Sequence, residues 1–475
     1  MQSQALTPKF RVAICGGGPG GLALAVTLLR AADGGAPVTI DIYEAAPELA
    51  TVGAGISVWP RTRALLEELG LMEELRGRDR RGAIRETGRR RRSGLGFTFR
   101  KSDQAQASKN FFELQVPTNP LLIHRSALLE ALKRGLNVPS MSTCTVHTSS
   151  RLLSYTPAEA GGVTLHFAGG ATAHADVLVG ADGVRSAVRQ TMFSSYSPPV
   201  KPRWTGVVAY RSLVRREDLE RLFKGHQAGK RAMVYSGKDR HLVTYPISRG
   251  EDINFVGFYT VPGAYESKAS YPGKWVRDVP VEDVKACYEG WEDEVQAVTK
   301  CVKKATAWGI HVMDDVPRCV DGQVAILGDA MHAMETHFGA GGGQAMEDAY
   351  ILGRILAHPR TALHSQSGKV DVVAALRIYE RARFRFASSL VEKTRVVGKM
   401  YEFANGCEPD PDLVTSVHSA QNEDARKRGE AWAKRWGEEV TNLWRWQWDI
   451  ALGKDWLAAE KMLLEEAGRT LEARL

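Results

Sequence analysis

The 475-residue sequence predicts an α/β (α+β) fold with more than one domain. Three segments each run from a short apolar strand into a turn of small residues, near residues 11–25, 175–189 and 323–349. Strand-like patterns fill the block from about residue 204 to 258, and the chain beyond residue 400 is helical and charged. We therefore expect a main domain assembled from separated segments, an inserted β-sheet domain and a helical C-terminal region.

The first segment carries a glycine fingerprint between a predicted strand and a predicted helix. Gly16, Gly18 and Gly21 have the G-x-G-x-x-G spacing. In that pattern the first glycine allows a tight turn, the second lets the backbone approach a pyrophosphate, and the third lets the helix pack on the strand. The next strand, 38–43, ends in Glu44, where a carboxylate can hold ribose hydroxyls. Together they predict a Rossmann-like dinucleotide site, and NAD and FAD are both compatible with it.

Two further elements precede the second segment. The small-residue loop that ends at Gly55 can lie close to a flat ligand. A strand at 121–125 runs into a helix over 126–132, for which Ser126 is a suitable N-cap. Arg125 stands at that junction, where its charge can face an anionic ligand.

The second and third segments repeat the pattern of strand, carboxylate and small-residue turn. In the second, Ala181-Asp182-Gly183 follows the buried strand 175–180. In the third, Gly328-Asp329 follows the strand 323–327, and Asp329 can hold a polyol hydroxyl. The run 339–343 exposes backbone N–H groups at a helix start, which suits a flavin ring edge or a phosphate.

These segments divide the chain into four predicted parts. Residues 10–195 and 311–400 form the two portions of the main domain, and the first includes a β-meander at 150–174. Residues 196–310 form a β-sheet-rich substrate domain, and 401–475 form a helical tail. The tail tryptophans are predicted to pack against the main body, with a homodimer interface as the alternative. The candidate substrate-binding residues of the sheet domain are Arg211, Tyr235, His241 and Tyr245.

The composition is that of an ordinary globular protein, with 44% apolar and 25% charged residues and a formal net charge of +8. An arginine-rich run over 76–92 carries much of this charge. No aromatic platform or nucleic-acid motif accompanies it, so we assign it to a solvated surface that could steer an anion. The six scattered cysteines form no C-x-x-C pair, so we expect no metal site and no disulfide framework.

Targeting signals are weak in this sequence. No apolar run approaches the length of about 20 residues that a membrane span needs, and the N-terminus lacks the apolar core of a signal peptide. We therefore expect a reducing, cytoplasmic location. The last three residues, Ala-Arg-Leu, loosely resemble a peroxisomal address, which leaves the peroxisome as an alternative.

Taken in order, the three segments resemble the motifs of the FAD-dependent aromatic hydroxylases, the single-component flavoprotein monooxygenases of the salicylate hydroxylase type. Gly16-x-Gly18-x-x-Gly21 resembles their first motif, Ala181-Asp182-Gly183 their second and Gly328-Asp329 their third, over about residues 10–400. The resemblance implies FAD as cofactor and NADH or NADPH as co-substrate. It also implies O2-dependent hydroxylation of a phenolic or aromatic acid such as a salicylate or hydroxybenzoate, with oxidative decarboxylation open. In this family a flavin C4a-hydroperoxide transfers the OH group.

The resemblance also implies roles for single residues. Besides the three fingerprint glycines, the cofactor-binding positions would be Glu44 at the adenosine ribose, Gly55 and Gly342 along the flavin, Arg125 on the FAD, Asp182 where flavin and nicotinamide meet, and Asp329 at the ribityl chain. Arg211 and Tyr245 resemble an Arg/Tyr pair that some members use on phenolic acids. An arginine can pair a carboxylate bidentately, which suits an acidic substrate.

The third segment departs from the family pattern. Thr336 replaces the usual proline beside the flavin's reactive edge, and Glu335 and Phe338 replace more usual residues. These changes would place a carboxylate and a ring near the chemistry. A second hypothesis is therefore a flavoprotein of the same fold with other redox chemistry, such as an epoxidase, oxidase or reductase acting on a secondary metabolite. A third hypothesis is a flavin-binding regulator that uses the arginine-rich run on nucleic acid.

Overall fold

The structure is a computed structural model that describes residues 8–31, 37–49, 55–73, 75, 94–106, 109–138, 140–159, 161–404, 406, 409 and 423–472. Several features named from the sequence lie outside the described residues: the loop positions 53–54, the arginine-rich run 76–92, Cys407 and the C-terminal tripeptide 473–475.

The strands of the described residues form two large sheets and three small ones. They are β1 (Arg11–Cys15), β2 (Thr39–Tyr43), β3 (Gly55–Val58), β4 (Gly94–Lys101), β5 (Asn110–Val116), β6 (Leu121–His124), β7 (Thr143–His147), β8 (Leu152–Pro157), β9 (Val163–Phe167), β10 (Thr172–Ala175), β11 (Val177–Gly180), β12 (Arg203–Arg215), β13 (Met233–Gly237), β14 (Arg240–Ile247), β15 (Asp252–Thr260), β16 (Val276–Val279), β17 (Ala305–Val312), β18 (Val320–Asp321), β19 (Val324–Ile326), β20 (Thr361–Ala362) and β21 (Val370–Asp371).

The helices cover both large sheets and dominate the C-terminal third. They are α1 (Pro19–Ala31), α2 (Pro60–Glu68), α3 (Arg125–Gly135), α4 (Ala187–Met192), α5 (Arg216–Leu222), α6 (Val281–Cys287), α7 (Asp293–Lys300), α8 (Asp329–His332), α9 (Gly341–Ala357), α10 (Val372–Tyr401), α11 (Glu423–Trp444), α12 (Trp446–Asp449) and α13 (Leu452–Glu472). Among the helices of the described residues, none has both the length and the apolar character needed to cross a membrane.

A six-stranded sheet brings the three glycine-rich segments together. Its strand order is β18-β19-β11-β1-β2-β7, and every pair except β18–β19 is parallel. Because parallel strands point the same way, the loops that follow β1, β2, β11 and β19 leave one edge of the sheet. These loops carry Gly16, Glu44, Asp182 and Asp329. The predicted α/β fold class is confirmed, and so is the antiparallel meander, which is β8–β10.

An eight-stranded sheet contains the strand-rich block predicted from the sequence. Its order is β16-β17-β12-β15-β14-β13-β4-β5, so it also takes in two strands from residues 94–116. The strand β4 pairs in parallel with β13, and Phe99 lies opposite Val234. A local pattern could not indicate this pairing because the partners lie far apart in the chain. The four-part domain division therefore stays a prediction, and its sheet domain shares strands with the segment 10–195.

Two local predictions can be compared with the structure directly. The helix α3 begins at Arg125 and its N-cap is His124, whose ring accepts a hydrogen bond from the Ser126 backbone N–H at 3.3 Å. The prediction of Ser126 as N-cap is therefore wrong, because an imidazole nitrogen takes the role that a hydroxyl usually fills. The tail tryptophans pack within the chain as predicted, since the Trp444 ring lies 4.8 Å from Trp59 and 5.3 Å from Phe338.

Candidate active site

The first glycine loop is shaped by two close approaches and one open position. A side chain at Gly16, whose φ is +109°, would overlap the carbonyl oxygen of Ala181 in the second segment. A side chain at Gly21 would overlap the carbonyl oxygen of Gly16, so the start of α1 needs glycine to pack on β1. At Gly18, by contrast, no atom of the described residues lies within 4 Å of the added carbon. The loop is therefore closed on the protein side and open where a pyrophosphate would approach.

Glu44 is already engaged with the glycine loop. One carboxylate oxygen accepts a hydrogen bond from the Gly17 backbone N–H at 2.8 Å, and the other accepts one from Ala46 at 2.8 Å. The structure thus places Glu44 beside the loop, at the carboxyl end of β2. Each oxygen keeps a second lone pair, so its role at a ribose stays a prediction.

Asp182 has one satisfied oxygen and one unsatisfied oxygen. Its Oδ2 atom accepts hydrogen bonds from the backbone N–H groups of Ala187 at 2.7 Å and Val188 at 3.2 Å, which caps α4. Its Oδ1 atom is buried and has no hydrogen-bond partner among the described residues. Burial raises the pKa of this carboxyl. A buried oxygen without a partner is costly, so this atom is well placed to accept a hydrogen bond from a bound group.

Asp329 and Arg125 lie close enough for their charges to interact. The surrounding protein raises the pKa of Asp329, and the nearby charges of His332 and Arg125 act in the opposite direction. The Asp329 side chain is nevertheless exposed, so we infer that it lies on the wall of a deep opening. Arg125 is half-buried, and burial lowers its pKa while Asp329 raises it.

A buried ionic network lies behind the third glycine loop. The Asp348 carboxylate accepts hydrogen bonds from the Gly328 backbone N–H at 3.1 Å, from His332 Nε2 at 2.6 Å and from Arg383 Nε at 2.8 Å. Burial acts to raise the pKa of Asp348, but His332 and Arg383 lower it to about 2. Asp455 of α13 contacts Arg383 at 3.4 Å, which ties the tail to this loop. The sequence analysis identified none of these contacts.

The cofactor loops meet the eight-stranded sheet at β3. A side chain at Gly342, the second residue of α9, would lie 3.2 Å from Ile56. The Gly55 backbone N–H donates to the Asn254 side chain at 3.3 Å. An added carbon at Gly55 would lie 3.0 Å from the Tyr245 ring, so glycine lets the loop lie flat against the sheet. Gly55 thus lies against Tyr245 and Gly342 lies near Ile56, the neighbour of Gly55, while the roles of both glycines along the flavin stay predictions.

One face of that sheet forms a wall opposite the loops. The register sets Arg211 beside Val256 and Val256 beside Val243, and side chains two residues apart share a face. The apolar part of the wall comprises Val207, Ala209, Val243, Val256, Phe258 and Ile310. Sequence reasoning missed these residues, although the alternating pattern on β12, β14 and β15 could have indicated them.

Arg211 and Tyr245 lie close enough to interact on this wall. Burial raises the pKa of Tyr245, and the Arg211 charge and the hydrogen bonds with Ser57 and Asn254 act to lower it. The Nε atom of Arg211 is buried and has no hydrogen-bond partner among the described residues. Tyr235 lies elsewhere: it is fully buried on the opposite face, where its hydroxyl donates to Glu294 of α7 at 3.1 Å. The prediction of Tyr235 as a substrate residue is therefore wrong, because strand alternation turns it away.

The unusual residues of the third segment are also accounted for. Glu335 is bound to His337, with 3.1 Å between its carboxylate and the ring Nε2. Phe338 is fully buried beneath the tail tryptophans Trp444 and Trp446. Both side chains are thus engaged with other residues of the chain, and the expectation that they lie near the reactive edge stays a prediction. Thr336 is exposed.

These features define a dinucleotide-binding flavoprotein with a sheet wall opposite its cofactor loops. Residues 9–394 match the family model described as an FAD binding domain, and the chain belongs to this family. Gly18, Asp182 and Asp329 present an open loop, an unsatisfied acceptor and an exposed carboxylate, so the residues present fit FAD. In the described residues, no group of three or more His, Cys, Asp or Glu side chains is arranged to hold a metal ion.

Similar proteins are FAD-dependent aromatic hydroxylases. A salicylate hydroxylase from Pseudomonas putida is 29% identical over 401 residues, which cover 83% of this chain and 86% of the relative. A 6-methylsalicylate 1-monooxygenase from Aspergillus terreus is 29% identical over 450 residues, covering 94% and 90%. A solved salicylate hydroxylase substrate complex has a TM-score of 0.72 at 27% identity and covers 95% of this chain and 98% of that one. The chain is an FAD-dependent monooxygenase of this kind.

Proposed function

We propose that this monooxygenase hydroxylates a small phenolic acid of the salicylate or hydroxybenzoate type, with NADH or NADPH as electron donor. The observation that carries the proposal is the Arg211–Tyr245 pair on a mostly apolar wall, directly opposite Gly55. A half-buried guanidinium with an unsatisfied Nε–H suits a carboxylate, and an apolar wall suits an aromatic ring. The named substrates of the relatives agree with that chemistry.

The residues would divide the work as follows. Bound FAD supplies the redox chemistry with nicotinamide and O2 that side chains cannot perform. Arg211 holds the substrate carboxylate, Tyr245 donates a hydrogen bond from its hydroxyl, and the valines and Phe258 of the wall exclude water from the ring. The cofactor would be held by the fingerprint glycines together with Glu44, Gly55, Arg125, Asp182, Asp329 and Gly342.

An anaerobic experiment tests this function. NADH or NADPH is mixed with the holoenzyme, with and without a panel of phenolic acids, and flavin bleaching is followed before O2 is readmitted. We expect one acid to accelerate bleaching and O2 to give a hydroxylated product. If no acid changes the rate of flavin bleaching, the proposal is contradicted. The result would then favour the alternative that the departure at the exposed Thr336 suggests, an epoxidase, oxidase or reductase.

A matched pair of variants on β12 tests whether Arg211 binds the carboxylate of the substrate. Arg211→Met should raise the dissociation constant of the acid at least about tenfold, because a buried carboxylate would lose its cation. Arg215→Met is the control, since Arg215 is exposed and pairs with Asp252 at 2.9 Å. Flavin content should be normal in both. Equal affinity in the two variants would remove Arg211 from the site.

We also propose that the enzyme works in the cytoplasm, because its scattered cysteines favour a reducing compartment.

We further propose that two copies of the chain associate through α13. Leu457, Leu464 and Leu471 recur every seven residues on this helix and are 63%, 48% and 48% exposed. In an antiparallel pair centred on Leu464, Leu457 would face Leu471 of the second copy. Light scattering should show a dimer for the wild type and a monomer for Leu464→Glu. A monomeric wild type would contradict this surface.

A further inference from the structure

A buried histidine–glutamate pair lies at the edge of the substrate wall. The His241 ring is fully buried and stacks on Phe258 of the wall, with 4.3 Å between the ring centroids. Its Nδ1 atom lies 2.9 Å from an oxygen of Glu402, at the end of α10. Its Nε2 atom is buried and has no hydrogen-bond partner among the described residues. The pair thus leaves one imidazole nitrogen unsatisfied beside an apolar wall.

The protonation of Glu402 decides what that nitrogen can do. When Glu402 is ionised, Nδ1 carries the proton and donates to it, so Nε2 has a free lone pair. When Glu402 is protonated, its O–H donates to Nδ1 and Nε2 carries the proton instead. Burial raises the pKa of Glu402 to about 7, and burial lowers the pKa of His241. His241 Nε2 therefore changes from hydrogen-bond donor to hydrogen-bond acceptor near neutral pH.

We infer that His241 takes the phenolic proton of the substrate at Nε2 and passes the Nδ1 proton to Glu402, which acts through the imidazole. In this step the phenol O–H bond breaks and the oxygen keeps the electron pair as phenolate. An N–H bond forms at Nε2, the N–H bond at Nδ1 breaks, and an O–H bond forms on Glu402. The inference rests on the proposed function, because it needs a phenolic substrate on the wall.

Several charged and titratable groups surround the His241–Glu402 pair and affect which of its members carries the proton. From the third glycine loop, His337 lies with its ring centroid 5.0 Å from that of His241, and Glu335 is bound to His337. The charge of His337 lowers the pKa of Glu402, while Glu335 and Asp239 raise it. Other groups that face the pair are Thr260 of β15, Arg240 of β14, and Cys287 and Tyr288 at the end of α6.

The Glu402 carboxyl has a second partner nearer the surface. It forms a hydrogen bond with the Thr260 side chain, and Thr260 is half-buried. In the proposed step the proton that Glu402 receives would leave through this hydroxyl between turnovers.

The test measures ionisation of a bound phenol. The probe is 4-hydroxybenzoate, titrated from pH 5 to 9 into the oxidised holoenzyme, and the phenolate band in the ultraviolet difference spectrum reports its charge. Glu402→Gln keeps the size of the side chain but cannot accept the proton. We expect the pH midpoint of ionisation of the bound phenol to rise by at least about one unit in this variant. His241→Gln should do the same.

The control and the outcomes separate the possibilities. Glu392 lies on α10 with its side chain 65% exposed. The control Glu392→Gln should therefore leave the pH midpoint of phenol ionisation unchanged. Flavin content reports that each variant holds its cofactor. If Glu402→Gln ionises the bound phenol at the wild-type pH, the inference is wrong while the proposed function stands. If no phenolic acid perturbs the wild-type spectrum, the proposed function and the inference both fail.

Discussion

The buried carboxylate of Asp348 should control both stability and cofactor retention. It holds the Gly328 backbone, which precedes Asp329, and it pairs with His332 and Arg383 in a fully buried position. Asp348→Asn keeps the shape of the side chain and removes its charge. The substitution therefore tests whether charge at this point fixes the third glycine loop.

The magnitude can be worked from the contacts. A pKa lowered from 3.8 to about 2 corresponds to about 2 kcal/mol of net interaction with the charged form. Arg383 would retain Glu347 and Asp455 as carboxylate partners, each at 3.4 Å. Because His332 and Arg383 would both lose a charged partner in a fully buried position, we expect a loss of about 3 kcal/mol in the free energy of unfolding. Since the pKa is lowered, this stabilisation is complete above about pH 4 and disappears only as the pH falls to about 2.

The assay is guanidinium unfolding at pH 7, followed by tryptophan fluorescence with FAD in excess. Glu430→Gln is the control, because its partner Arg426 is also exposed and the pair lies 2.9 Å apart on the helix surface. That control should cost less than about 0.5 kcal/mol. The Asp348→Asn variant should also release flavin on gel filtration. A loss below about 1 kcal/mol with full flavin retention would refute the assignment of a buried charge network.

Two further predictions concern the cofactor loops. Gly21→Ala should weaken FAD binding about tenfold, because its methyl group would overlap the Gly16 carbonyl oxygen and push α1 from β1. Gly453→Ala, with open space around it, should bind FAD normally, and equal affinity in the two variants would refute the packing argument. Asp329→Ala should purify largely without flavin, whereas exposed Asp449→Ala should keep it; a fully yellow Asp329→Ala protein would exclude Asp329 from the cofactor site.

The sequence indicates the positions of the cofactor loops well because the signals that mark them are local. A fingerprint glycine such as Gly18 and a carboxylate such as Asp329 each follow a strand whose apolar run is readable by itself. Parallel pairing then places the loops at one edge of the sheet. The spacing of the motifs does not distinguish FAD from NAD, and it does not indicate that Arg211 pairs with Tyr245. The family resemblance implies both.

The substrate side is harder to predict because it is made by long-range register. Tyr235 and Tyr245 look alike in the sequence, yet strand alternation places them on opposite faces of the eight-stranded sheet. His241 meets Glu402 only because the end of α10 reaches β14, and no spacing links those two residues. The Asp348 network is equally hidden, since its members come from separate helices and a loop.

The C-terminal tail shows how far the site extends beyond its recognisable motifs. The family match ends at residue 394, but Asp455 in α13 contacts both Arg61 and Arg383. Arg61 in turn binds Glu347 at 2.8 Å, next to Asp348, so the tail carboxylate completes the network behind the third glycine loop. Trp444 covers Phe338 in that same loop from the other side. The loop is therefore fixed by one buried charge cluster and one aromatic cluster, and both depend on a tail that carries no cofactor motif of its own.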